Sequence, residues 1–118
     1  MTLSSRQLGE AFEKKAIDYL RSQGLKLRTK NYGCRSGELD LIMESGSTLI
    51  FVEVRYRASD SFGGALASVT PAKQQKIRRA AQFYLQQQGL NEHKQLYRFD
   101  VVAFSAQSGD IEWIQNAF

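Results

Sequence analysis

The chain has 118 residues, with 16 Lys+Arg against 12 Asp+Glu and a single Cys and His. That length holds one domain, residues 1–118, around one hydrophobic core, and 42% apolar with 24% charged residues is the balance of a globular chain rather than a disordered or fibrous one. Lone Cys34 excludes an intramolecular disulfide; lone His93 excludes the usual Cys/His zinc sites and any Ser-His-Asp or Cys-His chemistry that His93 itself does not carry, so a metal here is held mainly by carboxylates.

Charge is unevenly placed. Residues 1–36 hold eight Lys/Arg against three Asp/Glu, 37–60 two against five, 61–95 five against one, and 96–118 one against three. Basic segments around acidic ones suit an enzyme acting on a polyanion, because cations attract phosphates while carboxylates hold a metal. The start, MTLSSRQLGEAFEKK, is too charged for a signal peptide, and the longest strongly apolar run, Leu49 to Val52, falls far short of the roughly 20 residues that span a bilayer. A cytoplasmic protein with no membrane partner is expected.

In chain order, Ser4 or Ser5 caps a helix to about Gln23, with Leu8, Phe12, Ala16, Tyr19 and Leu20 as its apolar stripe and Gly24 as its stop. Glu13 lies at the stripe's edge, near Ala16, Ile17 and Leu20, which predicts partial desolvation; a flanking salt bridge is the plainer reading. Leu25 and Leu27 alternate with Lys26, Arg28 and Lys30 as a short half-exposed strand, followed by a polar loop from Tyr32 to Gly37. A strand from Glu38 to Glu44 sets Leu39, Leu41 and Met43 against Glu38, Asp40 and Ile42. Thr48 to Arg57 begins as a continuous apolar run and reads as a central strand buried on both faces.

A loop with Gly63-Gly64 leads to Thr70-Pro71, an N-cap and first-turn proline, and to a helix ending near Gly89 with Ile77, Ala80, Ala81, Tyr84 and Leu85 on its buried face. Arg98–Phe104 and 111–115 are two more strands, joined by a turn at Ser108-Gly109-Asp110. The fold class is α/β: a mixed central sheet flanked by helices, in the order helix, three strands, helix, two strands.

If Gly46-Ser47 is a two-residue II′ hairpin loop, residues whose numbers sum to 93 face each other, and Asp40 lies opposite Glu53. Two anions about 5 Å apart on one sheet face destabilise each other unless a cation lies between them. Mg²⁺ takes one or two carboxylates and leaves its other positions to water and phosphate. The same register sets Glu38 against Arg55, so a ladder in which Arg55 and Arg57 neutralise the acids is the alternative. Glu53 directly follows the most apolar run, where an uncompensated charge costs several kcal/mol. Asp100, between Phe99 and Val101, reads as a hydrogen-bonded structural carboxylate. Tyr56, Phe62 and Trp113 are either base-stacking residues or core and interface aromatics.

The stretches Gly37-Glu38-Leu39-Asp40-Leu41-Ile42, Phe51-Val52-Glu53-Val54-Arg55-Tyr56-Arg57 and Arg98-Phe99-Asp100-Val101-Val102 closely resemble the YraN family of uncharacterised bacterial proteins. The match covers nearly the whole chain and takes in Gly9, Glu13, Asn31, Gly63, Lys76 and Ala117-Phe118. That family is similar to the restriction-endonuclease-like superfamily with the PD-(D/E)xK pattern, in particular to archaeal Holliday junction resolvases. The resemblance implies a restriction-endonuclease-like fold and phosphodiester hydrolysis with Mg²⁺ or Mn²⁺. Asp40 and Glu53 would be the metal carboxylates, and Glu13 a helix carboxylate reaching the metal directly or through water. The lysine of the pattern falls on Arg55, which offers positive charge but, with a pKa above about 12, no ready proton transfer.

The leading expectation is therefore a metal-dependent endonuclease on DNA, branched or junction DNA included, with Glu13, Asp40, Glu53 and Arg55 as catalytic residues. Lys73, Lys76, Arg57 and Arg35 are the expected nucleic-acid contacts; a solvated helix face is the plainer reading for Arg78 and Arg79. The alternatives are a DNA-binding protein that keeps the fold without catalysis, and a partner-binding module whose acids only pair with arginines. A homodimer suits a junction, which has approximate two-fold symmetry, and the related resolvases act as dimers.

Overall fold

The computed structural model describes residues 2–57, 64–105 and 108–118. Helix α1, Ser5–Ser22, starts at a capping box in which Ser4 Oγ accepts from the Gln7 N–H and Gln7 Oε1 from the Ser4 N–H. It stops before Gly24, whose φ of +95° suits glycine. Strands β1 (Lys26–Cys34), β2 (Gly37–Ser45) and β3 (Thr48–Arg57) form an antiparallel meander. A four-residue helix, α2 (Gly64–Ala67), which periodicity did not reveal, precedes α3 (Pro71–Gln87), capped by Thr70. Strand β4 (Tyr97–Ser105) pairs parallel with β3, and β5 (Ile111–Ile114) antiparallel with β4. The result is a mixed five-stranded sheet in the order β1-β2-β3-β4-β5. Parallel pairing of β3 with β4 requires a long crossover, and α3 supplies it.

The helices cover opposite faces of this sheet. Ile77, Ala80, Ala81, Tyr84 and Leu85 of α3 pack with Leu49, Phe51, Phe99 and Val101. Ala16, Ile17 and Leu20 of α1 pack with Ile50, Val52, Val102 and Phe104. Burial of β3 on both faces follows, since its neighbouring side chains enter different cores.

The β2–β3 hairpin adopts the expected register, from Ser45↔Thr48 to Leu41↔Val52. Gly46 has φ +59°, as the first central position of a II′ turn requires. Three expectations need correction. The residues assigned to a loop from Tyr32 to Gly37 are mostly strand: β1 runs to Cys34, held by pairing of Tyr32 with Leu39 and of Cys34 with Gly37, while the Tyr32 hydroxyl donates to Gln87 Oε1 at 2.6 Å. Leu39, Leu41 and Met43 do not share a face, because Leu39 and Ile42 enter the α3-side core whereas Leu41 and Met43 enter the α1-side core. Strict alternation thus breaks at Asp40. Finally, the β2–β3 ladder ends at Leu41↔Val52, so neither Asp40 with Glu53 nor Glu38 with Arg55 is one of its pairs, and Glu38 pairs with Gly33 of β1. Phe62 and Gly63 lie outside the described residues.

Asp100 is the structural carboxylate expected. Fully buried, it accepts from Arg98 Nε at 3.0 Å, Trp113 Nε1 at 3.0 Å and the Asn116 N–H at 2.9 Å, tying β4 to β5 and to the chain beyond. Replacing it by alanine strands these donors and leaves Arg98 uncompensated. Asp100→Ala is expected to lower stability by about 3–5 kcal/mol, read from urea unfolding.

Candidate functional site

The site lies where β2 and β3 part. Past Leu41↔Val52 the backbone ladder ends, and the next donor, the Val54 N–H, is taken by Asp40 Oδ2 at 2.9 Å. A side chain thus continues the pairing that the backbone abandons. On the other side of Asp40, the flanking pairs Lys30↔Leu41 and Tyr32↔Leu39 set it against Asn31, whose φ of 53° is left-handed and, outside glycine, best tolerated by Asn. Both neighbours of Asp40 are therefore irregular, and its carboxylate reaches across to the β3 backbone.

Glu53, 5% exposed, follows the buried run of β3. Lys73 Nζ, from the first turn of α3, stands 3.1 Å from its Oε1, and Arg55 Nη1 3.6 Å. Arg55 is itself anchored, donating through Nε to Ser68 Oγ and through Nη2 to the Ser68 carbonyl, both at 3.2 Å. Asp40 makes no such ion pair and feels only the weaker field of Lys73. Burial first, and then the charge of Glu53, push its carboxyl up to about 7, against the pull of the Val54 N–H.

Glu13 comes to the same place from α1. Asn31 Nδ2 donates to its Oε1 at 3.2 Å, and partial burial, with smaller contributions from Asp40 and Glu38, raises its pKa above the ordinary carboxylate value. Asp40 and Glu53 line two cavities, and Glu13 lines one of them. Among the described residues no three of the His, Cys, Asp and Glu side chains are grouped closely enough to hold a metal ion. A carboxylate pair is nonetheless a donor set that Mg²⁺ accepts, and Asp40 and Glu53 supply it.

The remaining sequence candidates divide. Lys73 and Lys76 line the cavity on the α3 side with Glu38, Asp40 and Glu53. Arg35 lies in the β1–β2 turn, lining a separate cavity with Tyr32, Cys34 and Phe83. Arg57, near the end of β3, sets its guanidinium close to Gly64 at the start of α2. Arg78 is not a free helix-face cation, because its guanidinium packs over the rings of Phe99 and Phe118 at 5.0 and 5.5 Å. Sequence reasoning missed the pairing of Lys73 with Glu53 and the anchoring of Arg55 by Ser68; both depend on how the crossover docks, which local spacing does not encode.

Fold and site together define an α/β protein with a buried glutamate, a half-buried aspartate and a lysine where two strands of a mixed sheet part. No helix among the described residues is long and apolar enough to cross a membrane. Residues 12–104 match the model of the uncharacterised protein family UPF0102, and the chain belongs to that family. It is 53% identical to a UPF0102 protein of Aeromonas hydrophila, over 98% of this chain and 87% of the relative. It is 50% identical to one from Stutzerimonas stutzeri, over 97% and 96%, and 47% identical to one from Vibrio campbellii, over 97% and 93%.

An Asp40 carboxyl that stays protonated in the folded protein up to about pH 7, but ionises near its ordinary 3.8 when unfolded, makes the fold bind the extra proton between those values. Its contribution to stability is full below pH 4 and is lost as pH rises through 7. Asp40→Asn stays neutral and keeps an acceptor for the Val54 N–H. The variant is expected to equal the parent near pH 4 and to exceed it by about 2–4 kcal/mol at pH 8, measured by chemical unfolding across that range.

Proposed function

We propose that the chain is a metal-dependent endonuclease that hydrolyses phosphodiester bonds in DNA, branched DNA included. The observation that carries this reading is the placement of Asp40 and Glu53, two interacting carboxylates where β2 and β3 part, beside a lysine and open to cavities on both sides. Stability alone does not favour such a pair. Asp40 and Glu53 would hold Mg²⁺ or Mn²⁺, which when bound neutralises phosphate charge and lowers the pKa of water.

The chain's own residues supply the rest. Glu13, held by Asn31, orients the attacking water. Lys73 and Arg55 place positive charge where the phosphate gains negative charge in the transition state. Lys73 also bears on the departure from the PD-(D/E)xK pattern. Arginine at position 55 cannot pass a proton, but an ammonium from α3 reaches the same glutamate and can. The restriction-endonuclease-like likeness agrees with the mixed sheet and its flanking helices.

A second reading has support of its own. Glu53 already carries two cations, as a retired site would if the protein bound DNA without cutting it. Cleavage of synthetic four-way, flap and linear DNA with Mg²⁺ or Mn²⁺ separates the two. The parent is expected to cut at least one of them, and Asp40→Ala, Glu53→Ala and Lys73→Met, purified identically, to lose about 100-fold or more. Binding that weakens steeply with salt, without turnover on any substrate, would establish the second reading instead.

A further inference from the structure

The carboxylate pair is not the floor of one pit. It forms a partition between two cavities, one of about 450 Å³ on the α3 side and one of about 360 Å³ walled by α1, with Asp40, Glu53 and Lys73 lining both. A polymer cut within its chain needs such an arrangement, because it must continue past the broken bond in both directions. The two sides differ in chemistry. The α3 side is walled by Glu38, Thr70, Lys76 and Ile77, whereas the α1 side carries Phe12 and Tyr56.

Of the three aromatics that could meet a base, Trp113 is committed to Asp100, and Phe62 lies outside the described residues. Tyr56 remains, three residues beyond Glu53 and so on the other, α1-covered face of β3, yet lining the cavity of about 360 Å³ with Glu53. Its ring stacks on Phe12 with centroids 4.4 Å apart and planes at 28°, and Phe12 rests in turn on Phe104 at 5.0 Å. Tyr56 is nevertheless 46% exposed. A ring braced from behind loses little freedom when another ring stacks on it. The cavity also contains Asp40, Glu53, Glu13 and Lys73, which suits a polar, phosphate-bearing ligand better than an apolar protein segment.

We propose that Tyr56 stacks on an unpaired base beside the scissile phosphate, so that the site takes single-stranded DNA or the unpaired arm of a branched molecule in preference to uninterrupted duplex. This rests on the nuclease reading of the carboxylate pair. In a duplex both faces of a base are occupied by its neighbours, and Tyr56 could be reached only by unstacking. A free strand offers that face at no such cost, and aromatic stacking tolerates any base.

The test is binding without hydrolysis, in EDTA, of a fluorescein-labelled single strand carrying 2-aminopurine at successive positions, beside a duplex of the same sequence. The full-length parent is expected to prefer the single strand and to quench 2-aminopurine at one or two adjacent positions. Tyr56→Ala is expected to weaken single-strand binding by about fivefold or more, to abolish the quench and to leave duplex binding unchanged, whereas Tyr56→Phe retains all three parent properties. An abasic residue at the quenched position should lower the parent's affinity by a similar factor, a readout that needs no variant to fold. Equal binding by parent and Tyr56→Ala, a quench that survives the substitution, or a preference for duplex would overturn the stacking role while leaving the nuclease reading intact. No binding to either DNA would overturn both.

Discussion

One hydrogen bond decides the character of this molecule, donated by the Val54 N–H to Asp40 Oδ2. Up to Leu41↔Val52 the β2–β3 hairpin is a regular antiparallel ribbon; beyond it β3 keeps only its parallel pairing with β4, which runs from Leu49↔Tyr97 to Arg57↔Ser105. Two strands that diverge within a sheet leave a backbone donor unmet, and a buried unmet donor costs about 1–3 kcal/mol. A short acidic side chain at the divergence answers that demand. It also places a carboxylate beside Glu53.

The two acids are treated unequally. Glu53 has an ammonium and a guanidinium on its Oε1, delivered by α3 and by its own strand. Asp40 is desolvated and lies in the field of Glu53, which the Val54 N–H and the charge of Lys73 offset only in part, so its carboxyl holds a proton through mildly acidic pH. A pair with one acid matched and the other unmatched attracts positive charge to the unmatched side. This asymmetry arises from secondary-structure geometry rather than from the composition of the chain.

Much of the fold was legible in the sequence because its cues are local. The Ser4 cap, the Thr70-Pro71 start, the apolar positions of α3 and the Gly46-Ser47 turn each act over a few residues, and the turn alone sets the register of β2 on β3. What escaped depends on distant parts meeting. The phase break at Asp40 reflects competition between two neighbouring strands. The extension of β1 through Cys34 is stabilised by Tyr32 packing on Tyr84, 52 positions later, at 5.1 Å. Candidate site residues were legible as types in positions, Asp40 and Glu53 above all, but Lys73 could be seen only as a helix cation until the crossover set it on Glu53.

Strand β1 also bears on how the protein behaves at high concentration. It forms one edge of the sheet, and an open edge is a template on which a second chain can add a strand. Here that edge is poor template. The register shifts between Leu27 and Thr29, Asn31 turns left-handed, and Lys26, Arg28 and Lys30 crowd one short stretch with exposed positive charge. A straight run of donors and acceptors never forms along it. The distortion that lets Asn31 reach Glu13 therefore also guards the sheet against edge-to-edge aggregation, and straightening β1 to improve its pairing would trade away solubility along with the site.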